Sequence, residues 1–150
     1  MKRSAGILLY KRERDGLRVL LAHPGGPFWR NKDAGAWSIP KGEIGDDEEP
    51  LAAALREFAE ETGVTLAGDF IPLGEIKQKG GKTVIGFALE RDLDPSTITS
   101  NTFAIEWPPR SGRQQTFPEI DRAEWFDLDA ARAKINAGQA ALLDRLVENS

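Results

Sequence analysis

Gly42 to Val64 read GEIGDDEEPLAAALREFAEETGV, a polar loop running into an amphipathic helix. Asp46 or Asp47 is placed to cap the helix, and Pro50 is tolerated in its first turn, where no intrahelical N–H is needed. Leu51, Leu55, Phe58 and Thr62 recur at helical spacing and line one face. Glu57, Glu60 and Glu61 stand at i, i+3 and i+4 on another face. At about 100° per residue, the acidic face lies roughly 120° from the apolar one. The spacing therefore predicts a helix that buries Leu55 and Phe58 and presents three carboxylates together. Gly63 stands where a helix C-terminal glycine belongs.

Like charges at i, i+4 destabilise a helix by a few tenths of a kcal/mol. Arg56 relieves part of that repulsion, and a hard divalent cation would relieve more, since Mg²⁺ takes oxygen ligands shared between carboxylates and phosphates. The competing reading is a solvated acidic face.

The spacing extends beyond the three acids. The stretch resembles the Nudix box of the Nudix hydrolases at every fixed position: Gly42, Glu48, Arg56, Glu57, Phe58, Glu60, Glu61, Gly63 and Val64. Chance agreement is on the order of 10⁻⁸ per starting position. The resemblance implies that Glu57, Glu60 and Glu61 hold Mg²⁺ or Mn²⁺, with Glu57 also a candidate base. It implies that Arg56 orients the cluster through Glu48, and that Glu48 reaches metal directly or through water. A backbone carbonyl at Lys41 or Gly42 is a further implied ligand. The Pro40-Lys41-Gly42 entrance resembles the branch that includes dinucleoside polyphosphate hydrolases, where the Lys41 side chain would meet phosphate; a solvated lysine is the alternative.

The whole chain sets bounds. Its 150 residues suit one domain spanning 1–150. With 40% hydrophobic and 29% charged residues it reads as soluble and globular. A net charge of −4 disfavours duplex DNA or an anionic membrane as partner, leaving a small-molecule nucleotide as the expected one. There is no cysteine, which excludes thiolate chemistry, and one histidine, His23, which excludes a multi-histidine metal site within one chain. The apolar run Ala5–Tyr10 is too short for a signal core or a membrane span, so a cytoplasmic location is the default. Monomer and homodimer are both compatible with the chain.

Ser4–Lys11 and Leu17–His23 read as strands around a polar turn, with Val19-Leu20-Leu21 as expected for a strand covered on both faces. His23 reads as a strand-end residue near the surface, or less readily as a proton carrier or base-stacking group. The Gly- and Pro-rich loop Pro24–Ala36 carries Phe28, Trp29, Arg30 and Lys32, which either anchor it to the core or stack on a base and meet phosphate. Trp37–Lys41 reads as a short strand. Phe70–Gln78 and Thr83–Glu90 read as a hairpin about Lys79-Gly80-Gly81-Lys82, where Lys77, Lys79 and Lys82 read as solubilising charges. Asp92–Thr102 reads as loop, Phe103–Trp107 as strand, and residues 108–119 as loop. Arg110 and Arg113 there are phosphate-binding candidates or plain surface. Ala123–Phe126 reads as strand, and Asp127 is expected to cap a helix over Leu128–Ile135. A packing helix follows at Gln139–Glu148.

This order supports a mixed α/β or α+β domain. The resemblance sharpens it to the Nudix α/β/α sandwich with a mixed sheet, and implies an acidic residue from a loop in this part of the fold as a further metal ligand or base, for which Glu119 is the candidate. The implied activity is pyrophosphohydrolysis of a nucleoside polyphosphate, either a dinucleoside polyphosphate or a (d)NTP. ADP-ribose, RNA 5′ ends and diphosphoinositol phosphates are alternatives, as is a non-catalytic nucleotide-binding module.

Overall fold

The computed structural model describes residues 2–78 and 80–150; the expectation at Lys79 falls outside them. At its centre is β1 (Arg3–Glu13), whose residues Ala5 to Tyr10 are all buried. Successive side chains of a strand point to opposite faces, and each face of β1 meets its own core. Ala5, Ile7 and Leu9 pack with Leu20, Ala53, Ala54 and Phe58. Leu8 and Tyr10 pack with Val19, Leu21, Trp37, Leu142, Leu143 and Leu146. The result is a sheet between two helical layers.

Beside β1, β2 (Gly16–Pro24) runs antiparallel and β5 (Thr83–Glu90) parallel. The short β3 (Lys41–Glu43) pairs with residues 4–6 of β1. β4 (Ile71–Lys77) and β8 (Ile120–Asp127) complete the order β4-β5-β1-β2-β8, with β3 off that path. The sheet is mixed, as expected.

Helix α1 (Pro50–Thr62) covers one face. Ala53, Ala54, Phe58 and Thr62 face the sheet, and Leu51 and Leu55 flank them half-buried. The two alanines let the helix approach closely; full burial of Phe58 contributes roughly 2 kcal/mol. The other face is covered by α2 (Leu128–Lys134) and α3 (Ala140–Asn149). Asp127 caps α2 as expected, accepting from Ala130 N–H at 2.7 Å. Gly63, at φ 79°, ends α1 with its N–H on Ala59 O at 2.8 Å.

Four expectations need correction. Asp46 and Asp47 do not cap α1: Glu49 occupies the cap position without a side-chain bond, and Pro50 starts the helix by its fixed φ. Trp37–Lys41 is not a continuous strand. Only Lys41–Glu43 pairs with β1, while Trp37 and Ser38 make isolated bridges to Ile135 and Ala22. Residues 108–119 are not all loop: β7 (Gln114–Pro118) pairs with β6 (Thr102–Glu106) in a separate hairpin. His23 is not at the surface; it is fully buried.

Candidate active site

The register of β3 against β1 carries Gly42 beneath α1. A Cβ on Gly42 would lie 2.0 Å from Glu57 Cδ and 2.1 Å from its Oε2, so only glycine leaves room for that carboxylate. Arg56 is the hub of the helix's acidic face. Its Nε and Nη2 donate to Glu48 at 2.8 and 2.9 Å, and its Nη1 to Glu57 Oε1 at 2.8 Å and, more weakly, to Glu60 at 3.4 Å. Nη2 also donates to the Glu43 carbonyl at 3.0 Å, fastening the loop before α1. Glu48 takes a further bond from Gly45 N–H at 2.9 Å. Both its oxygens are thus engaged, and the Arg56 bonds hold its carboxyl down to about 2.

The other acids are held differently. Burial raises the Glu57 carboxyl, opposed by its bond from Arg56. Burial pushes Glu61 up to about 8, helped by the charges of Glu57 and Glu119 and opposed by Lys41. Glu61 Oε2 is cut off from solvent and accepts no hydrogen bond. An orphaned, buried oxygen among charges of its own sign is suited to a hard cation. Among the described residues no three acids converge in a ligating array, and Arg56 draws Glu57 and Glu60 towards itself. Carboxylate oxygens are the donors a hard divalent cation takes.

Glu119 joins this neighbourhood from the sheet edge. Its N–H donates to Asn101 O at 2.8 Å and its carbonyl accepts from Gly25 N–H at 2.9 Å, and its charge acts on both Glu57 and Glu61. Beside Glu61 opens a cavity of about 680 Å³, lined by Lys41, Lys82, Trp29, Ser38, Gln78 and residues 136–139. Burial lowers the Lys41 ammonium, with Glu61 opposing.

His23 is buried between two residues that line this cavity, Ala22 and Pro24, and does not line it itself. Its Nδ1 lies 2.9 Å from Asp121 Oδ1 and its Nε2 2.6 Å from the Lys32 carbonyl. A carbonyl only accepts, so Nε2 carries a proton. The imidazole ties the Pro24–Ala36 loop to the start of β8 and meets Trp37 edge-on at 5.1 Å. Neither surface exposure nor base stacking describes it.

Trp29 lines the cavity, 40% exposed; Phe28 is 63% exposed and meets Trp107 of β6–β7 edge-on at 5.3 Å. Arg30 and Lys32 lie exposed on that loop, and Arg110 and Arg113 on the β6–β7 turn. None of these four lines the cavity. Gln78, Asn136 and Gln139, which do, carry no spacing signal in the sequence.

Among the described residues no helix is long and apolar enough to cross a membrane. In the wider protein record, an RNA pyrophosphohydrolase of Rhizobium meliloti is 31% identical over 104 residues, covering 59% of this chain and 57% of that protein. An octanoyltransferase of Myxococcus xanthus is 29% identical over 133 residues, 89% of this chain. The chain spans only 33% of that relative's length. In fold it is similar to a C. elegans Ap4A hydrolase binary complex, at TM-score 0.63 and 18% identity over 97% of this chain and 96% of that one. It is similar too to the NUDIX domain of Shewanella oneidensis NrtR complexed with ADP ribose, at TM-score 0.66 and 18% identity over 97% and 86%. A family model described as the NUDIX domain matches residues 1–146, taking in both the carboxylate helix and the sheet beneath it. The chain belongs to the NUDIX domain family.

Proposed function

We propose that this chain hydrolyses a diphosphate linkage in a nucleoside polyphosphate, a dinucleoside polyphosphate or a (d)NTP, with Mg²⁺ or Mn²⁺ as cofactor. The observation that carries the reading is Glu61 Oε2, buried and unpartnered at the edge of a cavity that also holds two lysines. Glu57, Glu60 and Glu61 would hold the metal, joined by Glu119 and a backbone carbonyl at Lys41 or Gly42. When bound, the metal neutralises phosphate charge and lowers the pKa of a coordinated water. A cytoplasmic location belongs to the same proposal.

The chain's own groups do the rest. Lys41 and Lys82 line the cavity and would orient the polyphosphate. Glu57 Oε2, which Arg56 does not engage, is the candidate to take a proton from the attacking water. The water oxygen bonds to phosphorus, the P–O bond of the anhydride breaks, and the bridging oxygen leaves with one product. Arg56 and Glu48 are positioning residues: Glu48 uses both oxygens to hold the guanidinium that steadies Glu57.

An RNA 5′ end is a second reading. Phe28 meets Trp107 outside the cavity, and Arg110 and Arg113 lie exposed on the turn after Trp107, residue types suited to nucleotides trailing from a 5′ phosphate. Relatives named RNA pyrophosphohydrolase support it.

Product formation from dinucleoside polyphosphates, (d)NTPs, ADP-ribose and 5′-triphosphate RNA, with and without Mg²⁺, tests the proposal beside a Glu61→Gln variant. Turnover that requires both metal and Glu61 is expected. Preference for ADP-ribose over every polyphosphate would overturn the substrate assignment, and absence of turnover throughout would overturn the enzyme reading.

A further inference from the structure

The acidic helix and Glu119 belong to segments remote in sequence, and residues 99–101 join them. These three lie across the C-terminal end of α1. Thr99 N–H donates to Thr62 O and Asn101 N–H to Glu60 O, both at 2.9 Å. The acceptors are among the carbonyls that a helix leaves without an internal partner at its end. The approach is close: a Cβ on Gly63 would lie 3.2 Å from Thr99 O. The same segment also holds the start of β8. Asn101 O accepts from Glu119 N–H at 2.8 Å, and Ser100 Oγ accepts from Ile120 N–H at 3.0 Å. The turn that carries Glu60 and Glu61 is thereby tied to the main chain that carries Glu119.

Ser100 closes this tie with its side chain. A hydroxyl has one proton to give and lone pairs to receive. The proton goes to Asn101 O at 2.8 Å, the oxygen that also takes the Glu119 N–H, and a lone pair takes the Ile120 N–H. Ile120 is buried, so an N–H left without the hydroxyl must move to find another partner. Among the described residues the Glu119 carboxylate makes no hydrogen bond or ion pair of its own, so the main chain is what fixes it. Its charge nonetheless acts on both Glu57 and Glu61.

We propose that Ser100 is a positioning residue of the metal site. Its hydroxyl fixes the main chain at Glu119 and Ile120 against the last turn of α1, and so sets where the Glu119 carboxylate stands relative to Glu57 and Glu61. It acts through Glu119 and contributes no ligand itself. The inference rests on the reading above, in which Glu57, Glu60, Glu61 and Glu119 hold the cation. Contacts that orient metal ligands typically contribute about 10- to 100-fold to metal affinity. A purely structural serine would lower the melting temperature and leave metal binding as it was.

The test titrates the full chain with Mn²⁺ alone, followed by calorimetry at a temperature where every variant is folded. Ser100→Ala should bind Mn²⁺ about tenfold more weakly than wild type. Ser100→Thr restores the hydroxyl and should recover the affinity to within about twofold. The decisive comparison is made in a Glu119→Gln background. If Ser100 acts through Glu119, Ser100→Ala should change the affinity there by less than about twofold, because the two residues work as one unit. Ser100→Cys, which keeps the shape with a weaker donor and acceptor, carries the decision if Ser100→Ala does not fold; a smaller loss in the same direction is expected. Unchanged Mn²⁺ affinity in Ser100→Ala, an equal loss with and without Glu119, or failure of Ser100→Thr to restore binding would overturn the proposal and leave the metal site standing. Absence of Mn²⁺ binding by wild type would remove the metal reading and the proposal with it. The expected Mn²⁺ pattern without turnover of any substrate in the panel would uphold the role of Ser100 and remove the hydrolase reading.

Discussion

The Cα of Gly42 and the carboxylate of Glu57 are in direct contact: a methyl group on the glycine would stand 2.0 Å from Glu57 Cδ. Gly42→Ala must displace either β3 or the carboxylate. Since about 1 Å of misplacement can cost on the order of 100-fold in rate, kcat should fall by about that factor while the fold survives. Steady-state kinetics beside a thermal melt checks this; retention of half the wild-type rate would show that Glu57 tolerates displacement.

Glu48→Gln should weaken the grip on Arg56 without emptying the metal cluster. A fall of roughly tenfold in kcat/KM is expected, with metal affinity changed much less, as for an outer positioning contact. The folded Glu48 carboxyl sits at about 2, below its ordinary value. Its stabilising effect is present above the ordinary carboxylate range and is lost as pH falls through about 2. Acid unfolding of the variant should therefore be less steep than that of wild type between pH 4.5 and 2. Parallel melts at low pH decide the matter.

Glu61 has the opposite sign. Its folded carboxyl is raised to about 8 from 4.5, so the folded state binds more protons than the unfolded state between those values. Stability of the metal-free protein should decline as pH rises from 4.5 to about 8 and then level off. Glu61→Gln removes the charge; its melting temperature without metal should exceed that of wild type by about 3–5 °C at pH 8 and match it near pH 5. Mg²⁺ should reverse the order at pH 8, because it stabilises only the protein with an intact site. Identical pH profiles for the two proteins would remove Glu61 from its buried, charged setting.

His23→Ala should loosen the loop that carries Trp29. It leaves Asp121 and the Lys32 carbonyl without their partner, a cost of about 1–3 kcal/mol. Proteolysis within Pro24–Ala36 should accelerate several-fold, and KM should rise more than kcat falls. Unchanged cleavage of the loop would show that it is held by other contacts.

Helix α1 is legible in the chain because its apolar positions, Gly63 and its acids are local to one stretch. β1 and β2 are legible for the same reason, as dense apolar runs. β7 is not: Gln114-Gln115-Thr116 has no apolar alternation, and its pairing with β6 arises only when the two are adjacent. The burial of His23 depends on Asp121, 98 residues away, and on a carbonyl, which no side-chain pattern reports. Gln78 and Asn136 likewise meet across 58 residues. The acidic cluster is readable as chemistry, whereas the walls of the cavity are assembled from segments whose proximity is a tertiary fact.

The parallel pairing of Arg3–Tyr10 with Thr83–Glu90 has a consequence during synthesis. β1 leaves the ribosome well before its central neighbour exists, and its Ile7-Leu8-Leu9 run lacks both layers of cover until α1 and, later still, α2 and α3 have followed. Non-local pairing of this kind slows folding and lengthens the exposure of sticky intermediates. Substitutions that weaken the Thr83–Glu90 segment should therefore reduce soluble yield more than equilibrium melting alone would indicate, through nascent chains whose strand β1 is captured by another molecule before its own partner arrives.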